Sequence, residues 1–259
     1  MTWKTVFSPK WYVEQTKGWL WESYALILIA AIGNAYISFG MGHPITWVTF
    51  VTYIASILSV WTIGGIANAK QVNGIGGITS AILYIIVALV AKNPADAMLQ
   101  GIYIVLLDIP VLMFPAWSKD VTKKIRFIHE TGIRGEKHGP KFWYLVIIGV
   151  AILAFAGAYL IETNLLHSPR PLVDSLVLGS GFAGAILTTF RFGESSIAWL
   201  LQGALQVILW GQTAMMGDAN WVLFFTYMLF LLNDILLVTK SKWVHHKAET
   251  AEIVEALNK

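Results

Sequence analysis

Long apolar runs separated by short polar turns make up most of the chain. A helix needs about 20 mainly apolar residues to cross a hydrocarbon core of about 30 Å. Eight such runs are bounded by charged residues, Pro or Gly: Ser23–Met41, Ile45–Ile63, Gly74–Ala91, Ala97–Trp117, Phe142–Glu162, Pro171–Phe190, Ser195–Met216 and Asn220–Val238. The pattern therefore predicts an all-α integral membrane protein with eight transmembrane helices.

Lys and Arg residues fall almost entirely on one side of the predicted membrane. Sixteen of the 18 lie in the N-terminal segment, at Lys70 and Arg191, in the loop Ser118–Lys141 and in the C-terminal tail, whereas Lys92 and Arg170 lie on the other side. Cytoplasmic loops accumulate Lys and Arg. We therefore expect both termini to be cytoplasmic, in a bacterial inner membrane. A wrong number of spans would scramble this alternation, so the charge bias also supports eight spans.

Composition agrees with a membrane protein and removes several function classes. The chain is 13% charged and 56% hydrophobic, whereas soluble domains are about a quarter charged. It contains no Cys, so no disulfide, thiolate nucleophile or Cys-ligated metal is expected. The net charge of +3 follows from the cytoplasmic Lys and Arg residues and does not indicate a nucleic-acid partner.

Two three-helix groups share a plan that suggests an internal duplication. In each group the first helix ends in a short basic turn, and the third helix carries an acid within the membrane, Asp108 or Asp234. Three spans leave the chain on the opposite side of the membrane, so a second unit that followed directly would have the inverted orientation. The single crossing Phe142–Glu162 returns the chain to the first side, so both units have the same orientation.

We therefore expect a 3-1-3 core of two parallel repeats. Its parts are an N-terminal segment with one extra helix (1–44), a first repeat (45–117), a cytoplasmic loop with a linker helix (118–170), a second repeat (171–239) and a cytoplasmic tail (240–259).

The seventh predicted helix carries a stripe of aromatic and amide side chains. Trp199, Gln202, Gln206 and Trp210 follow helical spacing and lie on one face. Aromatic faces can sandwich a heteroaromatic base, with cation–π attraction if the base is charged, and Gln amides can bind a carboxamide or ribose hydroxyls. The same residue types also join helices or anchor them at the membrane interface. For Trp199 and Trp221, which lie nearer helix ends, the anchoring alternative is equally good.

Acidic and amide side chains in other spans complete the candidate substrate-binding set. Asp108 lies in the fourth predicted helix, and Asn233 and Asp234 lie deep in the eighth, with no evident Lys or Arg at their depth. Polar groups in lipid are costly and usually face a bundle interior or a wet cavity. We expect them to contact ribose hydroxyls or a positively charged ring, or alternatively to join helices by hydrogen bonds. Gln100 and Tyr103 are candidates for completing the wall of the first half.

Two further features of the spans concern packing and backbone shape. Asn34, alone in the first predicted helix, is expected to be a packing residue. Pro110 and Pro115 interrupt the fourth helix and free backbone carbonyls, which membrane proteins tolerate where a neighbour or a cavity satisfies them. The interruption predicts either a hinge or a static kink.

Several activities are excluded by the residues that the spans lack. All six His residues lie in predicted loops or tails, so neither a metal set nor a Ser/His pair can be assembled within the bundle. No Lys lies within a span to bind retinal, and the longest cytoplasmic loop is too short for a nucleotide-binding domain. The sequence therefore predicts no enzyme, no metal site and no cofactor.

A set of short motifs links this plan to a known family. They lie in the second half and at the end of the first half: Arg191-Phe192-Gly193-Glu194, Trp199, Gln206, Trp210, Trp221, Asn233-Asp234 and Pro110 to Trp117. Together with the basic central loop, they resemble the PnuC family of vitamin transporters, which is related to the SWEET and SemiSWEET sugar transporters. The resemblance implies facilitated diffusion of nicotinamide riboside, with thiamine- and deoxynucleoside-handling relatives, and a homotrimer. The chain departs from the family pattern at Asp108 and Pro110, where the family often has an amide pair.

The sequence thus predicts a uniporter for a small nucleoside-like vitamin precursor, with nicotinamide riboside as the first choice. Its pocket is expected between the repeats near mid-membrane, open alternately to each side, with a separate intracellular kinase trapping the product. A deoxynucleoside or thiamine transporter is the alternative within this class, and proton coupling through Asp108 or Asp234 is a variant. A ligand-binding receptor or assembly subunit is the alternative from another class.

Overall fold

A computed structural model describes residues 8–42, 44–114, 117, 124–128, 140–215 and 221–245. Within these ranges the regular structure is helical, apart from one isolated β-bridge between Arg126 and Phe192. The helices are α1 (Pro9–Thr16), α2 (Trp21–Ala35, extended by a π-helical turn at Tyr36–Gly40), α3 (Trp47–Ala67), α4 (Val72–Val90), α5 (Pro94–Tyr103, a π-helical turn at Ile104–Asp108, then Ile109–Met113), α6 (Pro140–Ile161, extended by Glu162–Leu166), α7 (Pro171–Thr189), α8 (Ser195–Met215) and α9 (Trp221–Lys240).

Seven of the helices in the described ranges, α2 to α7 and α9, are long and apolar enough to cross a membrane. Helix α8 is as long as these and contains no charged residue. Its three glutamines, Gln202, Gln206 and Gln212, lower its mean hydropathy, and it is not among the seven. The all-α membrane fold predicted from sequence is confirmed, while the eighth span stays a prediction.

Equivalent turns come after the first helix of each predicted repeat. The chain leaves α3 at Ala69 and α7 at Arg191, whose φ values of 53° and 62° both lie in the left-handed region. In each turn this residue donates its N–H back into the helix, from Ala69 to Ile66 O at 2.9 Å and from Arg191 to Thr188 O at 3.0 Å. Such a closure satisfies carbonyls that a helix end leaves free.

The two predicted repeats, α3 to α5 and α7 to α9, pack around a shared core. One cluster of buried side chains contains members from both: Ala55, Tyr84, Val87 and Leu99 from the first, and Val177, Leu178, Leu209, Trp210, Leu223 and Tyr227 from the second. Helix α6 packs on α7 and leaves most of its apolar surface outside the bundle. That arrangement suits a helix whose outer face meets lipid.

The N-terminal helix α2 is joined to both repeats by one polar side chain. Asn34 is fully buried, and its Nδ2 donates to Ser56 Oγ on α3 and to Thr226 Oγ1 on α9, both at 3.0 Å. These contacts agree with the predicted packing role of Asn34. They fix the register of α2 against the groove between α3 and α9.

Pro110 distorts α5, and the second repeat compensates for the lost bond. Proline has no N–H and its ring displaces the carbonyl four residues earlier, which is that of Leu106. A π-helical turn precedes Pro110, and Leu106 O accepts the hydroxyl of Thr189 on α7 at 2.6 Å. The freed carbonyl is therefore satisfied by a neighbouring helix, as predicted, and it ties α5 to the end of α7.

Candidate substrate-binding site

A cavity of about 80 Å³ lies inside the bundle, between α3, α4, α5, α8 and α9. Both predicted repeats contribute to its wall, which is mainly apolar and carries hydroxyl, amide and carboxyl groups. A volume of this size holds about two or three water molecules. The cavity is therefore polar enough and large enough to be wet.

Seven of the nine predicted site residues line this cavity. The first repeat contributes Gln100, Tyr103 and Asp108 from α5, and the second contributes Trp199 and Gln202 from α8 and Asn233 and Asp234 from α9. The side chains that were expected to form two facing walls are thus brought to one cavity by three helices.

Gln206 and Trp210 do not line the cavity, although they continue the predicted stripe on α8. Both are fully buried one and two turns further along the helix. Gln206 Nε2 donates to Asp96 Oδ1 on α5 at 3.0 Å, and the Trp210 ring stacks on Tyr227 with centroids 6.0 Å apart. Trp221 also lies outside the cavity and is 41% exposed at the start of α9, where an anchoring role suits it.

Five hydroxyl-bearing residues line the cavity that were not among the predicted site residues: Ser59, Thr62, Ser80, Tyr84 and Tyr227. Ser59 and Tyr84 contact each other across α3 and α4, with their oxygens 3.1 Å apart. The signal for them in the sequence is modest, since Ser59 and Thr62 merely share a helix face at a spacing of three.

Each cavity carboxyl group rests against a glycine of the neighbouring helix in its own repeat. A methyl group at Gly77 on α4 would overlap the carboxylate of Asp108, and one at Gly203 on α8 would overlap that of Asp234. Gly77 precedes Asp108 by 31 residues, and Gly203 precedes Asp234 by the same number. The two repeats therefore hold an acid at equivalent positions by the same contact.

Several polar atoms of residues that line the cavity have no hydrogen-bond partner. Tyr103 Oη, Asp108 Oδ2 and Asn233 Oδ1 are buried atoms without a hydrogen-bond partner. Asn233 uses its Nδ2 for a long contact of 3.5 Å to Ile63 O. Among the described residues that line the cavity, none is a Lys, Arg or His, so the two carboxyl groups have no basic partner there.

An aromatic corner borders the carboxyl groups. Trp199 and Tyr103 meet edge to face, with ring centroids 5.6 Å apart and an interplanar angle of 64°. Trp199 Nε1 donates to Thr188 Oγ1 at 2.7 Å, which fixes the indole plane, and Gly184 leaves room for that ring on α7. The corner joins α5 of the first repeat to α7 and α8 of the second.

Two tryptophans seal one end of the cavity, which we call the Trp end. Trp117 and Trp243 are 2% and 0% exposed and pack in one cluster with the cavity-lining Ile66, Leu107 and Leu237. Each lies nine residues after the acid of its repeat. The glycine, the acid and the tryptophan therefore follow one another at the same sequence spacing in both predicted repeats.

A polar and aromatic layer closes the opposite end, which we call the Asp96 end. It consists of the Asp96–Gln206 hydrogen bond, which joins α5 to α8, and of the Trp210–Tyr227 stack, which joins α8 to α9. Tyr84 on α4 packs against Tyr227 with centroids 6.2 Å apart. Contacts between the two predicted repeats therefore lie at both ends of the cavity.

The motif Arg191-Phe192-Gly193-Glu194 lies away from the cavity and organises the Trp end. Residues 124–128 run beside this turn, and Gly193 N–H donates to Arg126 O at 2.9 Å. Glu194 Oε1 accepts from Ile128 N–H at 2.7 Å and from the Tyr144 hydroxyl on α6 at 2.8 Å. These contacts connect part of the central loop and the linker helix to the start of α8.

The sequence matches one protein family, and the structure matches a solved structure of the same fold. Residues 46–244 match the family model described as "Nicotinamide mononucleotide transporter". The fold matches a solved structure, "Crystal structure of the Vitamin B3 transporter PnuC", with a TM-score of 0.69 and 17% identity, over 96% of this chain and 99% of that one. At this identity the match shows a common fold. No curated protein is significantly similar to the chain in sequence.

Proposed function

The chain belongs to the nicotinamide mononucleotide transporter family, and from this premise we propose that it carries nicotinamide riboside, a small cationic nucleoside, across a bacterial inner membrane. The family consists of membrane transporters and not of enzymes, in agreement with the sequence prediction. The observation that carries the proposal is the internal cavity that both predicted repeats line, with its carboxyl groups, amides and aromatic rings.

The charges around the cavity favour a cation. Asp108 and Asp234 line it, and no Lys, Arg or His is among the described lining residues. A buried carboxylate is stabilised by a cationic partner, and aromatic faces such as that of Trp199 attract a positive ring. The pyridinium ring of nicotinamide riboside meets both requirements. Deoxynucleosides are neutral, and the mononucleotide adds a phosphate that the carboxylates would repel.

The cavity size supports a carrier that changes shape during transport. Pockets for drug-sized ligands are about 300–1,000 Å³, far larger than the cavity of about 80 Å³. The walls of the described conformation therefore stand closer together than they would around a bound substrate. Binding requires the repeats to move apart at one end, and alternating separation at the Trp end and the Asp96 end gives alternating access.

The proposed orientation is based on the charges of the chain. With eight spans in a 3-1-3 plan and both termini in the cytoplasm, the Trp end faces the cytoplasm and the Asp96 end faces outward. Movement is downhill uniport, and a separate intracellular kinase traps the product by adding a phosphate that the cavity does not accept. The same carboxyl groups would also accept thiamine, whose thiazolium ring is cationic, so thiamine is the second candidate.

Transport in liposomes tests the proposal directly. Purified protein is reconstituted with entrapped radiolabelled nicotinamide riboside, and release is measured without ATP or an ion gradient. We expect release that unlabelled nicotinamide riboside or thiamine outside accelerates by exchange, that deoxyuridine does not affect, and that a proton uncoupler does not change. Binding without release would instead indicate a receptor, and release that occurs only when a proton gradient is imposed would indicate proton coupling. Absence of both binding and release would refute the substrate assignment.

A further inference from the structure

Beyond the cavity wall at the Asp96 end, three buried polar atoms on two neighbouring helices lack a regular hydrogen bond. They are Asp96 Oδ2 on α5 and Gln206 Oε1 and Trp210 Nε1 on α8. Their side chains are 1%, 0% and 0% exposed. Buried polar groups in proteins are almost always hydrogen-bonded, so these three atoms are available to a polar group of a ligand or to water.

The chemistry of the three side chains determines which of the unpartnered atoms accept a hydrogen bond and which one donates. A carboxylate only accepts, so Gln206 must turn its NH₂ group to Asp96, and the bond of 3.0 Å between them leaves Gln206 Oε1 free. Trp210 Nε1 only donates. Trp210 Nε1 lies near the Tyr227 hydroxyl, and the Asp96 carboxyl group lies near the Gln100 side chain. Neither Trp210 Nε1 nor Asp96 Oδ2 forms a hydrogen bond of normal geometry with these neighbours. The layer therefore presents two acceptors and one donor.

This layer continues the cavity by about one helical turn. Gln100 lies one turn beyond Asp96 on α5, and Gln202 lies one turn before Gln206 on α8, and both line the cavity. Residues four apart share a helix face. Tyr227 lines the cavity with one part of its ring and stacks on Trp210 with the other. A ligand in the widened cavity would therefore meet the layer as the next surface toward the Asp96 end.

We infer that Asp96, Gln206 and Trp210 form a subsite that binds a primary amide. Such an amide has two N–H donors for Asp96 Oδ2 and Gln206 Oε1 and one carbonyl oxygen for Trp210 Nε1. The inference rests on the proposed function, because it assigns the carboxamide of nicotinamide riboside to this layer and its charged ring to the adjoining part of the cavity, about one turn of α8 away, where Gly203 contacts Asp234. It also predicts rejection of the acid analogue, whose carboxylate would face two acceptors.

The decisive experiment compares nicotinamide riboside with nicotinic acid riboside, which differ only in amide and carboxylate. Dissociation constants are measured by calorimetry on the full-length protein in lipid nanodiscs. We expect wild type to prefer the amide by about tenfold or more, the range expected for a hydrogen bond to a charged group. In Asp96→Asn the new amide can donate to a carboxylate, so the preference should fall to near unity. An unchanged preference in Asp96→Asn would overturn the subsite.

Two further variants distinguish loss of the amide subsite from a general loss of binding. Trp210→Phe keeps the stack on Tyr227 and removes the donor, so nicotinamide riboside should bind about 3–10-fold more weakly; wild-type affinity would exclude Trp210 from the subsite. Asp108→Asn removes a cavity charge outside the subsite, so it should change the ratio of the two dissociation constants much less than Asp96→Asn does. If wild type binds neither riboside, the proposed function fails first, and the subsite fails with it.

Discussion

Trp117 and Trp243 meet at the Trp end with ring centroids 6.2 Å apart, and each is hydrogen-bonded to a helix of the opposite half of the bundle. Trp117 comes at the end of the first repeat and donates its indole N–H to Thr189 O at the end of α7, at 3.2 Å. Trp243 comes after the second repeat and donates to Ile66 O near the end of α3, at 2.8 Å. Opening the cavity at this end therefore requires two crossed hydrogen bonds to break.

Replacing these tryptophans should make the Trp end open more often. The chain contains no Cys, so Leu237→Cys in the cavity wall provides a single reporter. We expect Trp117→Phe and Trp243→Phe each to raise the rate of its labelling by a water-soluble thiol reagent about fivefold, because each removes one hydrogen bond. The control is the same cysteine in the otherwise wild-type chain. Equal labelling rates in all three proteins would show that the crossed bonds do not seal the cavity.

Removing either cavity charge should weaken binding of a cation. Asp108→Asn and Asp234→Asn keep the side-chain shape, and each should raise the dissociation constant for nicotinamide riboside about tenfold or more. Asp174→Asn is the matched control, because Asp174 is a buried acid of α7 that does not line the cavity. Calorimetry on the three variants distinguishes the positions. A loss of affinity shared by Asp174→Asn would indicate a general effect of charge removal.

The glycines beside the two acids should tolerate no side chain. In Gly77→Ala and Gly203→Ala the new methyl group overlaps the carboxylate of Asp108 or Asp234, so the acid is forced into the cavity. We expect both to lose substrate binding and to lose about 1–3 kcal/mol of stability, as overpacked cores do. Gly101→Ala on α5 is the control, since its methyl would meet nothing within 4 Å. Thermal unfolding in detergent and ligand binding are measured together, and wild-type behaviour of Gly77→Ala would disprove the contact.

Asn34→Leu should separate stability from substrate recognition. The substitution keeps side-chain size but leaves Ser56 Oγ and Thr226 Oγ1 without their donor. Hydrogen bonds between membrane helices contribute about 0.6–2 kcal/mol, so the unfolding temperature should fall while affinity for nicotinamide riboside stays at the wild-type value. A lower affinity at unchanged stability would instead connect Asn34 to the cavity.

Helix positions could be predicted from the sequence because lipid demands long apolar runs, but their ends depend on local chemistry. The fourth segment was predicted as Ala97–Trp117 and is formed by Pro94–Met113. Pro94 is well suited to a first helical turn, and Asn93 caps the helix by accepting the Asp96 N–H at 3.3 Å. A hydropathy profile alone does not predict where such a cap places the start of the helix. The homotrimer that the family resemblance implies stays a prediction.

The candidate site was partly predictable because an acid or amide in lipid is energetically costly and usually faces a bundle interior or a cavity. Asp108 and Asp234 were found in this way. Helical spacing then gave the face of α8 but not the depth of the cavity, so it grouped Gln206 and Trp210 with Gln202. Ser59 carried only a modest signal, because a serine in a membrane helix can bond to its own backbone, as this one does to Ser56 O at 2.9 Å.

Helix α8 poses a problem during synthesis that its neighbours do not. A nascent segment leaves the translocon for lipid according to its own apolar character, and the three glutamines of α8 weaken that tendency. Helix α8 packs closely on α7 before it and on α9 after it. We therefore expect α8 to wait at the translocon until α9 emerges from the ribosome and to enter the bilayer with it as a hairpin. The expected consequence is that insertion of α8 depends on α9, the helix that is synthesised next.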